Sequence, residues 1–281
     1  MTFLQMLLIA LVQGVTEFLP ISSSGHLILL PIFTGYQDQG PMIDIAVHVG
    51  SLLAIITYFF RDVAGLARGG FATVGIGSAP REKKLFWWII VGTIPAVLVG
   101  LAIKTGALNG VAQTFFNLQI RNDDLLESLR LTHLIAINLI VYGILLGLAD
   151  RFGPRNRSFE QLRLRDGILV GCAQALALIP GTSRSGVTMT MARVLGFKRV
   201  EAARFSFLLS IPAIAGAGIL IVPDLLKADH ALLVEALITG GMTFLAALAT
   251  MMFLMRFLKN ASMMVFVVYR VAMGAALLYF F

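Results

Sequence analysis

Long apolar runs separated by short polar stretches set the pattern of this chain. The runs Met42 to Phe60, Leu85 to Ile103, Thr132 to Ala149, Phe205 to Val222, Ala231 to Met255 and Ala261 to Phe281 each approach the about 20 residues that a helix rising 1.5 Å per residue needs to cross a bilayer. They predict six spanning helices. Two further apolar regions, Thr2 to Ile32 and Asp166 to Leu195, are broken near their middle by a polar stretch containing Gly and Pro, so each reads as two half-length helices. Irregular backbone at membrane depth persists only where protein or a water-filled cavity satisfies its N–H and C=O groups. Both regions are therefore predicted re-entrant hairpins that build a site. Thr2 to Val12 has the length of a signal-peptide core but lacks a basic n-region and runs into Gln13 and Glu17, so it reads as mature protein.

Composition agrees with this pattern. The chain is 58% hydrophobic and 13% charged, against roughly 45–50% and 25% in soluble domains, which excludes an ordinary water-soluble enzyme. The single cysteine, Cys172, leaves no intramolecular disulfide and no multi-cysteine metal cluster. The net charge of +7 is spread over short segments between apolar runs rather than gathered in one patch. Those cations read as membrane flanks, and no nucleic-acid partner is expected.

The flanks also predict an orientation. Arg61, Arg68, Arg81, Lys83 and Lys84 lie between two spans, and Arg151, Arg155, Arg157, Arg163 and Arg165 between two others, so both segments are expected in the cytoplasm. The segments Lys104 to Arg130 and Pro223 to His230 balance their cations with Asp123, Asp124, Glu127, Asp224 and Asp229 and are expected outside. Counting spans from these segments brings the two hairpins in from opposite faces. A gap-free alignment of QGVTEFLPISSSGH (13 to 26) on QALALIPGTSRSGV (174 to 187) pairs Gln13 with Gln174, Ser22 with Ser183, Ser24 with Ser185 and Gly25 with Gly186. With three spans after each copy, the halves 1–150 and 166–281, joined by a basic cytoplasmic loop at 150–166, are expected to have opposite topology. The fold predicted is thus an all-α, polytopic integral membrane protein: an inverted-topology repeat of six spanning helices and two re-entrant helix hairpins.

Ionic groups in apolar surroundings need partners, which makes Glu17, His26 and Arg184 candidates for an interior cavity. Gln13 and Glu17, at i and i+4, can reach one ligand or metal ion; a helix-capping pair is the structural alternative. Ser22, Ser23, Ser24 and His26 form a hydroxyl-rich turn leading into a helix, a setting that suits an oxyanion, although a Ser-rich cap beside a core histidine has the same composition. Thr182, Ser183 and Arg184 form the second turn, and a guanidinium at membrane depth needs an anion, either a phosphate or Glu17. Asp44 and His48 share a helix face and can orient a site group or simply cap and pack. Arg270, in mid-span, is expected to pair inward or snorkel, with no assignable chemistry. The methionines at 251, 252, 255, 263 and 264 are expected to pack or face lipid, and the glycines, Gly216 and Gly218 included, to suit close helix packing.

These residues resemble the bacterial undecaprenyl-diphosphate phosphatases, also called bacitracin-resistance proteins. The resemblance rests on QGVTEFLPISSSGH at 13–26, PGTSRSG at 180–186 and FSFLLSIPA at 205–213, and the layout is similar over essentially the whole chain. It implies hydrolysis of a polyprenyl diphosphate lipid, undecaprenyl diphosphate, to the monophosphate carrier lipid of peptidoglycan assembly, in the bacterial plasma (inner) membrane. It also implies a divalent cation, Mg or Ca. The family's Glu/Gln-x-x-x-Glu motif falls on Gln13 and Glu17, its serine-histidine turn on Ser22, Ser23 and His26, and its phosphate-binding loop on Thr182, Ser183 and Arg184. With Gln at the first motif position, the motif offers a cation one carboxylate rather than two.

For phosphoryl transfer, which rests on positioning and on neutralising charge, Glu17, Ser23, His26 and Arg184 are the expected catalytic residues. Gln13, Ser22, Thr182, Ser183 and Arg184 are the expected substrate contacts, and Glu17 with Gln13 the expected cation ligands. His26 is the best acid/base candidate by its ordinary pKa near 6.5. The nucleophile stays open between Ser23 activated by His26 and a water activated by His26 or Glu17, with Ser23 preferred. A secondary transporter or flippase of an anionic lipid or metabolite is the competing class, because broken helices in inverted repeats serve transport as well. Oligomeric state, a homodimer included, is left open.

Overall fold

The computed structural model describes residues 1–109, 131–225 and 229–281, with the backbone alone for 220–225. The expected outer segment with Asp123, Asp124 and Glu127 lies outside the described residues, as does the side chain of Asp224. Every regular element among the described residues is helical, as a bilayer demands of a single chain whose backbone groups find no water to bond. The chain is an all-helical, multi-pass membrane protein.

Among the described residues five helices are long and apolar enough to cross a membrane: α3 (Gly40–Tyr58), α5 (Pro80–Lys104), α6 (Thr132–Phe152), α9 (Arg199–Leu225) and α10 (His230–Asn260). The sixth expected span is shorter. The chain breaks at Ala261 to Met263, so α11 runs over Met264–Phe280, 17 residues, or about 25 Å at 1.5 Å per residue. The two interrupted regions are broken pairs as expected. The first is α1 (Phe3–Thr16) and α2 (Ser23–Thr34); the second is α7 (Leu164–Ala175), a 3₁₀ turn at Leu176–Leu178, and α8 (Arg184–Val194). One element was not foreseen: α4 (Phe60–Thr73) occupies the basic segment after α3. Its pattern is amphipathic rather than continuously apolar, so a search for spans passes over it.

Packing follows small residues. A Cβ on Gly50 of α3 would stand 2.2 Å from the carbonyl oxygen of Gly240 on α10, and one on Gly171 of α7 would stand 2.0 Å from that of Gly92 on α5. At both contacts only glycine admits the approach. Gly216 and Gly218, expected to do the same, do not among the described residues: a Cβ on Gly216 meets nothing within 4 Å, and on Gly218 only Val49 at 3.9 Å. The methionines divide, with Met251, Met255 and Met263 buried and Met252 and Met264 exposed. Between the helices lies an aromatic and aliphatic core in which Phe18, after the first broken helix, meets Phe207 of α9 edge-on at 5.3 Å. Helix partners come in matched sets: α1 packs on α10 and α7 on α5, while α6 pairs with α11 and α3 with α9.

A buried ionic knot ties four helix ends. Asp150 on α6 accepts from Arg199 of α9 at 2.6 and 2.7 Å, from Arg193 of α8 at 3.4 Å, and from the backbone N–H of Met263 before α11 at 3.1 Å.

Candidate active site

The two turns are built alike. Ser22 and Ser183 precede α2 and α8 with φ of 78° and 71°, and among the described residues no other non-glycine residue has positive φ. Each places its hydroxyl to accept from the N–H three residues on, Gly25 at 3.3 Å and Gly186 at 3.1 Å, which caps the helix. Such backbone strain is of order 1–3 kcal/mol per residue and persists where surrounding contacts fix it. Arg270 supplies those contacts. Fully buried on α11, it donates to the carbonyl oxygens of Pro20 in the first turn (3.1 Å), Gly181 and Thr182 in the second (3.0 Å each), and Asn138 and Leu139 of α6 (3.2 and 3.1 Å). Ser185 adds a direct link by donating to Leu19 O at 3.0 Å, and Asn138 donates to Pro180 O at 2.9 Å. Mid-span charge was the sequence signal for Arg270; what it would bond was not legible.

Held this way, the turns bring Glu17 and Arg184 together across the two halves. Glu17 Oε1 accepts from Arg184 Nη2 at 2.7 Å, and its Oε2 accepts from Ser23 Oγ at 2.5 Å and from Gln13 Nε2 at 3.1 Å. His48 Nε2 lies 4.0 Å from the same oxygen. Because a carbonyl only accepts, the 2.6 Å contact of His48 with Asp44 O fixes the proton on Nδ1. Glu17, Ser23, Asp44, His48, Gln174, Ser183 and Arg184 line one cavity of about 350 Å³ whose remaining wall includes apolar residues such as Ile45, Val49 and Ile214. A small anionic group beside an apolar tail fits such a space.

Several expected residues are placed differently. His26 does not reach Ser23: its Nδ1–H donates to Ser22 O at 2.6 Å, its Nε2 contacts Tyr269 Oη at 2.7 Å, and its ring stacks on Tyr269. The serine-histidine pairing weighed from sequence is thus replaced by Ser23 on Glu17, because the turn directs neighbouring side chains apart. Ser22 and Thr182 are buried in their turns and do not line the cavity, Ser22 because its hydroxyl serves as the cap. Gln13 is fully buried and does not line the cavity either, and among the described residues its Oε1, Arg184 Nη1 and Thr182 Oγ1 have no hydrogen-bond partner. For a divalent cation, the fitting donors are the Glu17 carboxylate and Gln13 Oε1, hard oxygens of the kind Mg and Ca prefer. No cluster of three acidic, histidine or cysteine side chains occurs among the described residues. The set therefore fits a cation whose remaining ligands come from phosphate and water.

Fold and site together define a helical membrane protein with a carboxylate–guanidinium–hydroxyl centre between two broken helix pairs. A family model described as "Bacitracin resistance protein BacA" matches residues 6–276, and the chain belongs to this family. Curated relatives that carry the name undecaprenyl-diphosphatase match along essentially their whole length. That of Erythrobacter litoralis is 67% identical, with all of both chains aligned. That of Alteromonas mediterranea is 44% identical over 100% of this chain and 99% of the relative, and that of Hahella chejuensis 44% over 99% and 98%.

Proposed function

We propose that this protein hydrolyses undecaprenyl diphosphate to undecaprenyl phosphate and inorganic phosphate, regenerating the carrier lipid for cell-wall synthesis. One observation carries the reading: Glu17 holds the hydroxyl of Ser23 and the guanidinium of Arg184 on its two oxygens, at the wall of a partly apolar cavity. A transporter needs the cation at Arg184 but has no use for a serine hydroxyl held on a carboxylate. Full-length likeness to named undecaprenyl-diphosphatases supports the same conclusion.

In the mechanism that fits this geometry, Ser23 Oγ attacks the terminal phosphorus while Glu17 Oε2, 2.5 Å away, takes the hydroxyl proton. The new O–P bond forms as the bond from phosphorus to the bridging oxygen breaks, and the lipid monophosphate leaves as an anion. Water then attacks the phosphoserine: Glu17 returns its proton to Ser23 Oγ as the Oγ–P bond breaks, takes the proton of the attacking water, and passes it to the released phosphate, which restores the carboxylate. Arg184 stabilises charge on the transferred group throughout. Glu17 and Gln13 would hold a divalent cation, Mg or Ca, whose chemistry is to neutralise phosphate charge. His26 positions the first turn through Ser22 rather than acting on phosphorus.

The halves 1–150 and 166–281 form an inverted-topology repeat in the bacterial inner membrane, with the Arg61 and Arg151 segments in the cytoplasm and the broken pairs entering from opposite faces. Matched serine caps and matched helix partners support this reading, as does the alternation of basic and acidic flanks. Release of inorganic phosphate from undecaprenyl diphosphate by the purified protein in detergent tests the activity; an acid-quenched reaction that contains phosphoserine at position 23 tests the route. Absence of phosphate release by folded protein would falsify the assignment.

A further inference from the structure

Gln174 lies in the last turn of α7 and is only 3% exposed, yet neither its Oε1 nor its Nε2 has a hydrogen-bond partner among the described residues. It lines the cavity that Glu17, Ser23 and Arg184 share. Its counterpart in the first broken pair, Gln13, spends its amide on Glu17 at 3.1 Å. Four residues after Gln174 stands Leu178, where the first pair has Glu17, so the second copy keeps the amide without the carboxylate that would occupy it. Burying both ends of an amide unpaired opposes folding, and native proteins reserve such groups for a ligand, an ordered water or a catalytic task. Arg184 Nη1 is a second buried donor of the same wall with no hydrogen-bond partner among the described residues. A phosphate group at physiological pH offers many acceptors, which is the complement this wall calls for.

We infer that Gln174 is a substrate-binding residue of this site, donating from Nε2 to a phosphate oxygen of the diphosphate beside the Nη1 of Arg184. This rests on the phosphatase reading and adds to it a contact from the second broken pair. Because the amide is neutral, it orients the diphosphate without competing with Arg184 for Glu17. Its Oε1 is left to accept from water, which no phosphate oxygen can replace.

Gln174→Leu keeps the side-chain size and removes both polar atoms. With undecaprenyl diphosphate as substrate, KM is expected to rise at least tenfold with a smaller change in kcat, and inhibition by inorganic pyrophosphate to weaken by a similar factor. The melting temperature without ligand is expected to hold or rise, since an unpaired buried amide is gone, and pyrophosphate is expected to raise it less than in the unsubstituted protein. KM and pyrophosphate inhibition within twofold of the unsubstituted protein overturn the assignment, as does a lower melting temperature with both constants unchanged. If the leucine variant fails to assemble, Gln174→Glu is measured in the same way. It is isosteric and adds a negative charge, so a larger loss of affinity supports the contact and unchanged constants overturn it. Arg184→Ala, run in parallel, keeps the two readings apart. Lost turnover there with unchanged Gln174→Leu removes only the Gln174 contact, whereas full turnover in both removes the cavity as the phosphatase site.

Discussion

Two buried charge clusters in this molecule look alike in composition and differ in how completely they are used. At the Asp150 knot both carboxylate oxygens are occupied, and Arg193, fully buried, spends every nitrogen on the Asp150 side chain and on the carbonyls of Asp150, Gly153, Pro154 and Phe197. At Glu17 the carboxylate is equally occupied, but among the described residues Arg184 Nη1 and both polar atoms of Gln174, at the cavity wall, have no hydrogen-bond partner. A cluster that satisfies itself has nothing left for a ligand and fixes helix ends. One that leaves buried donors and acceptors idle beside a cavity has kept them for something that arrives. Arg270 follows the first pattern, donating among the described residues to five backbone carbonyls, and serves the second cluster by holding the turns in place.

The largest expected effect separates the clusters by activity. Glu17→Gln keeps the shape but removes the proton acceptor for Ser23, so turnover should fall by roughly 10²–10⁴. Combining it with Ser23→Ala should add little further loss, since the two act as a unit. Single-turnover rates on both single variants and the double decide this; fully additive losses would detach Ser23 from Glu17.

Next in size is a loss of stability at the other cluster. Asp150→Asn leaves Arg193 and Arg199 without a balancing charge, and breaking a buried pair from one side costs about 3–5 kcal/mol. Thermal unfolding in detergent should register it, while KM in the folded fraction stays the same. A variant with unchanged stability and a changed KM would erase the contrast between the clusters.

Arg184→Lys keeps the charge but loses the fork that spans Glu17 and the cavity. Its kcat/KM should drop at least tenfold, about 1.4 kcal/mol, with little change in melting. Near-normal kinetics would show that a point charge suffices there. The smallest effect is expected at Arg81, whose 3.5 Å pair with Glu160 is solvent-exposed on both sides. Arg81→Ala should change stability by less than about 1 kcal/mol, and a larger shift in the unfolding curve would mean that exposed pairs rank with the buried knot.

Much of the architecture is legible in the sequence. The long helices, the two interrupted regions and the serine turns at 22 and 183 all follow from local pattern, as does the concentration of chemistry at Gln13, Glu17, Ser23 and Arg184. The amphipathic α4 was not, because its period differs from that of a span, and neither was the short α11, because the stop at Ala261 to Met263 carries no Pro or Gly. Gln174 was visible only as a repeat match to Gln13, and nothing in spacing says that it ends without a partner.

By itself the sequence determined where helices must form and where they must break, because in a bilayer every backbone group is satisfied within its own segment and the length of an apolar run fixes the span. Tertiary structure alone decided which side chains meet. Glu17 and Arg184 are 167 residues apart, and Ser23 stands nearer in sequence to His26 than to Glu17 but bonds to Glu17. Arg270 reaches Pro20 from 250 residues away. Such pairings depend on how broken helices are packed and on the direction in which a strained turn points its side chains, quantities that no local pattern encodes.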